Sequence, residues 1–234
     1  MIRLILKKQL KELVASKSNL IFLGIILVAC GIVAPLFSDA VYAVLSIMFT
    51  LSFIAQMAPA IFVEEKDSRS LETLVTLPVN MKQIIYGKVM GSFLTSILLF
   101  WTSLGLGFLV SYIRYGKTIF TWEQILLLLI LIPLTFWAFS WQCTYTSLKS
   151  KDTGVCALTL TFVSILYAIP PLFLFVFLMA RIDTVVHWHF LSFHVDVIRV
   201  TIAYILVLMV PFVLLRLLLG KYFDKSKLFD LLRN

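Results

Sequence analysis

The sequence predicts an all-α integral membrane protein with six transmembrane helices. Three observations carry that prediction: apolar runs of membrane length, a scarcity of charge, and the crowding of lysine and arginine on alternate connections. The 234 residues are 61% hydrophobic and only 14% charged, with a mean hydropathy of +1.02. A soluble domain of this length could not cover so much apolar surface with so few charges. Lipid is therefore the expected solvent. The net charge of +8 raises nucleic acid as a partner, but the basic residues flank apolar runs and form no patch of their own. Anionic headgroups suit them better.

At roughly 20 apolar residues per crossing, the spans fall at Asn19–Phe37, Ala40–Val63, Ile84–Ile113, Gln124–Leu148, Val155–Ala180 and Val200–Leu219. The third is too long for one upright crossing, so it tilts or continues into the cytosol as helix. Sixteen lysines and arginines lie on one side: in the amino-terminal segment, the connection between spans 2 and 3, Lys149 and Lys151, and the carboxyl end. Only Arg114, Lys117, Arg181 and Arg199 lie on the other. This asymmetry places both termini in the cytosol of a multi-pass protein of the cell membrane.

Ahead of span 1, Ile2, Leu6, Leu10 and Leu13 recur at helical spacing opposite Lys7, Lys8 and Lys11. That pattern predicts an amphipathic helix over residues 1–17 lying on the inner leaflet. A secretory signal fits less well, because the following apolar run is too long and no small-residue cleavage site closes it. No linker or repeat divides the chain. A single membrane domain, residues 1–234, is expected, with the bundle over 19–219 and a cytosolic tail over 220–234.

The chemistry inventory excludes several functions. All twelve acids fall in connections, tails or span ends, so no mid-membrane charge is available for ion-driven transport. No nucleophile–base pair or metal-ligand set lies inside the bundle, so neither a catalytic nor a metal site is expected. Gly116-Lys117-Thr118 imitates the tail of a phosphate-binding loop, but Ser111 stands where the first glycine belongs and no strand precedes it. Cys30, Cys143 and Cys156 are scattered and read as small buried hydrophobes. His187, His189 and His194 sit beside Trp188, Phe190 and Phe193. That company reads better as a membrane-interface segment than as a metal or haem site.

Within the spans, Pro59, Pro133, Pro170, Pro171 and Pro211 each remove a backbone donor and are expected to kink their helices. Gln56, Ser140, Gln142, Thr144 and Thr146 need partners, and helix–helix hydrogen bonds are the first expectation for them. Lining a substrate path is the second, and Gln56, Pro59, Gln142, Pro170 and Pro171 mark the candidate path. Gly87 and Gly91 form a G-x-x-x-G that permits close helix approach.

Between spans 2 and 3 runs "EEKDSRSLETLVTLPVN", residues 64–80. Asp67 or Ser68 can cap a helix and Pro78 can stop it. Between them Leu71, Leu74 and Val75 share one face, with Arg69, Glu72 and Thr73 turned away. A helix of about ten residues is not stable alone in water, so its apolar face needs a partner surface.

The wider stretch "FVEEKDSRSLETLVTLPVNMKQIIYGKVMGS" resembles the region after the second span in permease subunits of type-2 ABC exporters. The matching features are the acidic pair Glu64-Glu65, Ser70, Leu71-Glu72-Thr73-Leu74, Thr76-Leu77-Pro78-Val79 and Gly87-Lys88; Arg69 departs, standing where a glycine is common. The resemblance implies that 64–80 is a cytosolic coupling helix, with Glu64, Glu65, Asp67, Leu71, Glu72, Leu74, Val75 and Pro78 engaging the motor. It also implies two separate cytosolic ATPase subunits that bind ATP and Mg, and no cofactor or catalysis in this chain. A second permease, identical or homologous, would complete the path, and re-entrant helices in the 181–199 segment would gate its exit. The expected activity is export of a hydrophobic or amphipathic substrate, such as a peptide, toxin or drug-like molecule. Some likeness to the haem-exporter-like permease of cytochrome c maturation gives an alternative, and a non-transporting membrane scaffold is the alternative from another class.

Overall fold

A backbone in hydrocarbon must bond to itself, and the apolar runs are accordingly helical in the computed structural model. It describes residues 17–33, 39–67, 81–116, 122–183 and 197–220. Seven α-helices are present among the described residues: α1 Lys17–Val28, α2 Asp39–Met57, α3 Pro59–Asp67, α4 Met81–Tyr115, α5 Trp122–Lys149, α6 Thr153–Asp183 and α7 Val197–Gly220. A π-helical turn, Ala29–Val33, extends α1. The amino-terminal helix expected over 1–17, residues 68–80, the segment 184–196 with its histidines, and the tail from 221 lie outside the described residues.

Among the described residues, three stretches are long and apolar enough to cross a membrane: Val44–Lys66, Lys82–Tyr115 and Thr153–Leu172. Leu23–Val33 and Tyr204–Gly220 are shorter apolar helices. The 35 residues of α4 extend roughly 50 Å at 1.5 Å per residue, well beyond a hydrocarbon core of roughly 30 Å.

The centre of the bundle is α2 and α5. Helix α2 packs along α6 and against α4, while α5 packs against α4, α6 and α7. The main core joins Ile47, Leu51, Ile54, Phe62, Ile84, Val89, Phe136, Phe139 and Leu160, all buried. A second cluster of Ile26, Cys30, Phe53 and Leu99 attaches α1 to α2 and α4. The peripheral helices expose apolar stripes: Leu158, Phe162, Ile165, Leu166 and Ile169 on α6, and Leu206, Val207, Val210, Val213, Leu214 and Leu217 on α7. In water such stripes would drive aggregation, whereas against acyl chains they cost nothing.

Two glycines set how closely α1, α2 and α4 approach. A Cβ at Gly107 would overlap the Tyr42 ring, and one at Gly31 would lie 2.9 Å from Leu106 Cβ. With the ring against α4, the Tyr42 hydroxyl donates to Leu104 O at 2.5 Å, and Ser46 and Ser103 hydroxyls share a bond of 3.2 Å. Gly87 and Gly91 are also buried.

Of Pro59, Pro133, Pro170, Pro171 and Pro211, Pro59 alone coincides with a helix break: α2 stops at Met57, Ala58 is a turn, and α3 restarts at Pro59. Pro133, Pro170, Pro171 and Pro211 lie inside continuous helices. The hydroxyls expected to bond between helices, Ser140, Thr144 and Thr146, bond within α5 instead. Ser140 and Thr144 donate back to Phe136 O and Ser140 O of their own helix, the usual refuge of a hydroxyl in an apolar helix. Gly116 also gains a structural role: at φ +65° it closes α4, its N–H donating to Tyr112 O at 2.9 Å. A left-handed glycine is the common helix stop.

Candidate functional site

Helices α3, α4, α5 and α6 converge at one end of the bundle, where α3 runs out toward residues 68–80 and α4 returns from them. The break at Ala58–Pro59 creates this site. Proline supplies no N–H, and the turn closes by Ile61 N–H donating to Ala58 O at 3.0 Å. The next donor, Phe62 N–H, goes instead to Ser147 Oγ of α5 at 2.9 Å. A buried amide without a partner costs on the order of 1–3 kcal/mol, so the proline break and the α5 serine belong together.

One turn further along, Lys66 reaches the end of α5. Its ammonium donates to Leu148 O and, at 3.0 Å, to Ser150 O. The last carbonyls of a helix have no partner within it and carry the negative end of its dipole, which a cation satisfies. Across the short connection Asp152 caps α6, its Oδ1 accepting from Gly154 N–H at 2.6 Å and Val155 N–H at 3.2 Å.

Lys88 is the centre of the site. It enters from α4 and is only 4% exposed. Its Nζ donates to Ile61 O and to Glu65 Oε2, the latter at 2.5 Å, and lies 4.2 Å from the centroid of the Phe62 ring. A buried ammonium is tolerated only when a counter-charge and acceptors surround it, and here a carboxylate, a carbonyl and a π-face do so. The acidic pair is thereby split: Glu64 is exposed, while Glu65 turns inward to Lys88. Asp67 ends α3. Leu71, Glu72, Leu74, Val75 and Pro78 lie outside the described residues.

The candidate path residues do not form one cluster. Gln56 is exposed on α2, and Pro59 stands at the break. Gln142 is half-buried and donates to Thr146 Oγ1 of its own helix at 3.2 Å. Pro170 and Pro171 lie well along α6, more than four turns from its start at 3.6 residues per turn. A cavity of about 100 Å³ between α5 and α7, lined by Leu134, Trp137, Ala138, Leu208, Met209 and Phe212, contains none of them. One turn along α5, Trp141 carries a buried indole N–H without a partner among the described residues, with Tyr86, Trp137 and Phe212 at centroid distances of 5.2, 6.2 and 6.0 Å. Cys30, Cys143 and Cys156 are buried free thiols.

The sequence presents Lys66 as one of the basic residues beside a membrane and Lys88 as that and as part of the Gly87-Lys88 step, but neither as a bond between helices. One signal for Lys88 was present: a lysine standing between Ile84-Ile85-Tyr86 and Val89-Met90 interrupts an apolar run and needs a partner. Ser147 gave no such signal. The bonds of the site are suited to holding helices in register. No protein-family model, curated protein or solved structure matches the chain.

Proposed function

We propose that this chain is the transmembrane permease subunit of an ATP-driven exporter of the type-2 ABC class, moving a hydrophobic or amphipathic substrate out of the cytoplasm. In this reading six helices cross the cell membrane, both termini and residues 64–80 are cytosolic, and 68–80 docks on a separate ATPase. Two ATPase subunits supply ATP and Mg chemistry, and a second permease copy or homologue completes the path. The observation that carries the reading is the meeting of Glu65 and Lys88, 23 positions apart, at 2.5 Å. These residues stand near the two ends of the stretch that resembles the exporter motif, so its flanks behave as one structural unit. The Lys66 bonds to the end of α5 further support a stiff base beneath a docking segment. The absence of acids from the span interiors supports an external energy source and a substrate bound mainly by apolar contact.

Co-purification tests the reading. The chain, expressed with the ATPase subunits of its own cell, should retain one through mild-detergent purification, and a hydrophobic substrate should stimulate hydrolysis by that complex. Recovery without any ATPase would favour the scaffold reading. Stimulation by haem alone would favour the haem-exporter-like alternative.

A further inference from the structure

We infer that the Lys88–Glu65 pair is the joint that makes α3 and the start of α4 move as one body about the Ala58–Pro59 break, with Lys88 its positioning residue. The inference rests on the proposed function for its consequence, but its mechanical part stands on geometry alone. On the α2 side of the break, the helix stops at Met57. On the far side, Ile61 O and Glu65 of α3 are both held by one ammonium from α4, and the Phe62 ring between them packs on the same ammonium. Three contacts, at positions 61, 62 and 65 and so spread over about one helical turn, fix the helix in rotation as well as translation. The proline break leaves no i to i−4 amide bond from position 59 to carry stress into α2. A push on residues 68–80 therefore reaches the bundle through Lys88 into α4, and through Ser147 and Lys66 into α5. Lys88 is buried in a stretch where an aliphatic side chain would pack at no electrostatic cost. A fixed pair of charges supplies register that apolar packing does not.

Two measurements separate this from a merely stabilising ion pair. Spin labels go on Glu64→Cys and Gln83→Cys, both exposed positions, in a chain whose three native cysteines are replaced by alanine, reconstituted in phospholipid nanodiscs without any ATPase. The wild-type pair gives a narrow distance distribution, K88M broadens it, and K88R keeps it narrow. An unchanged distribution in K88M overturns the joint. If K88M fails to insert, E65Q decides in the same way, since it removes the counter-charge that ties Lys88 to Glu65.

The second measurement uses a maleimide on Gln56→Cys, across the break, with the ATPase bound. Trapping by ATP, Mg and vanadate should change its labelling rate by about 5-fold or more, the lower end of ordinary coupling. K88M should abolish that change while the ATPase stays bound, K88R should restore it, and E65Q with K88M should be no worse than K88M alone. A trapping response that survives in K88M, with the ATPase bound, overturns the inference. A wild-type chain that binds no ATPase sinks the proposed function instead, and the nanodisc distances still decide the joint.

Discussion

Single residues here act by removing or filling a specific need. Gly107 and Gly105 lie two positions apart on α4, yet a Cβ at 107 meets the Tyr42 ring while one at 105 meets nothing within 4 Å. Gly107→Ala should displace the ring, weaken its bond to Leu104 O and cost about 1–3 kcal/mol, the usual penalty of overpacking. Gly105→Ala should be neutral or slightly stabilising, as alanine favours helix. Thermal unfolding of both in the same detergent checks the contrast, and equal melting temperatures would refute it. Ser147→Ala removes the acceptor of Phe62 N–H and should cost about 1–3 kcal/mol. Ser147→Thr keeps an oxygen there and should recover part of the loss.

At the scale of elements, long apolar helices were legible because length and hydrophobicity suffice to mark them, and among the described residues three are long and apolar enough to cross a membrane. Span limits and helix limits agree closely: Val155–Ala180 against α6 Thr153–Asp183, and Gln124–Leu148 against α5 Trp122–Lys149. Span 2, expected as one kinked helix, is found as α2 and α3. The proline announced a disturbance, but whether it bends or breaks depends on who receives the freed amide, and Ser147 lies 85 residues away. In the proposed function, residues 68–80 are the docking segment. Replacing Leu71 and Leu74 together with Asp should release the ATPase while α2–α7 stay folded, because the apolar face loses its fit to a partner. Retention of the ATPase in pull-down by that double variant would remove the coupling role.

For the whole molecule, charge asymmetry and packing make separate predictions. Cysteine at Ser192 should react with an impermeant reagent added to whole cells and cysteine at Ser226 should not, as the sixteen-to-four distribution of basic residues requires. The reverse pattern would invert the topology. Helices α2 and α6 pack on each other within one chain, which leaves Gln56 exposed on α2 and an apolar stripe exposed on α6. Cysteine at Gln56 should therefore cross-link to a second permease copy or its homologue. Failure at every span-2 and span-5 position, with the homologue also tested, would leave the single bundle as the better description.

The sequence alone determined the helical class and the apolar stretches, three of which, among the described residues, are long and apolar enough to cross a membrane. Each of these depends on local composition summed over one segment, and no distant residue can reverse it. The tertiary structure decided what the polar residues do. Lys88 and Glu65 can each be picked out of the sequence, but their pairing exists only because α3 turns at Pro59 and α4 returns beside it. Ser140 and Thr144 satisfy themselves within α5, while Ser46 and Ser103, which nothing in their neighbourhoods distinguishes, meet across two helices. A hydroxyl or an ammonium in hydrocarbon must find a partner; which partner it finds is a property of helix register, and register is set by packing.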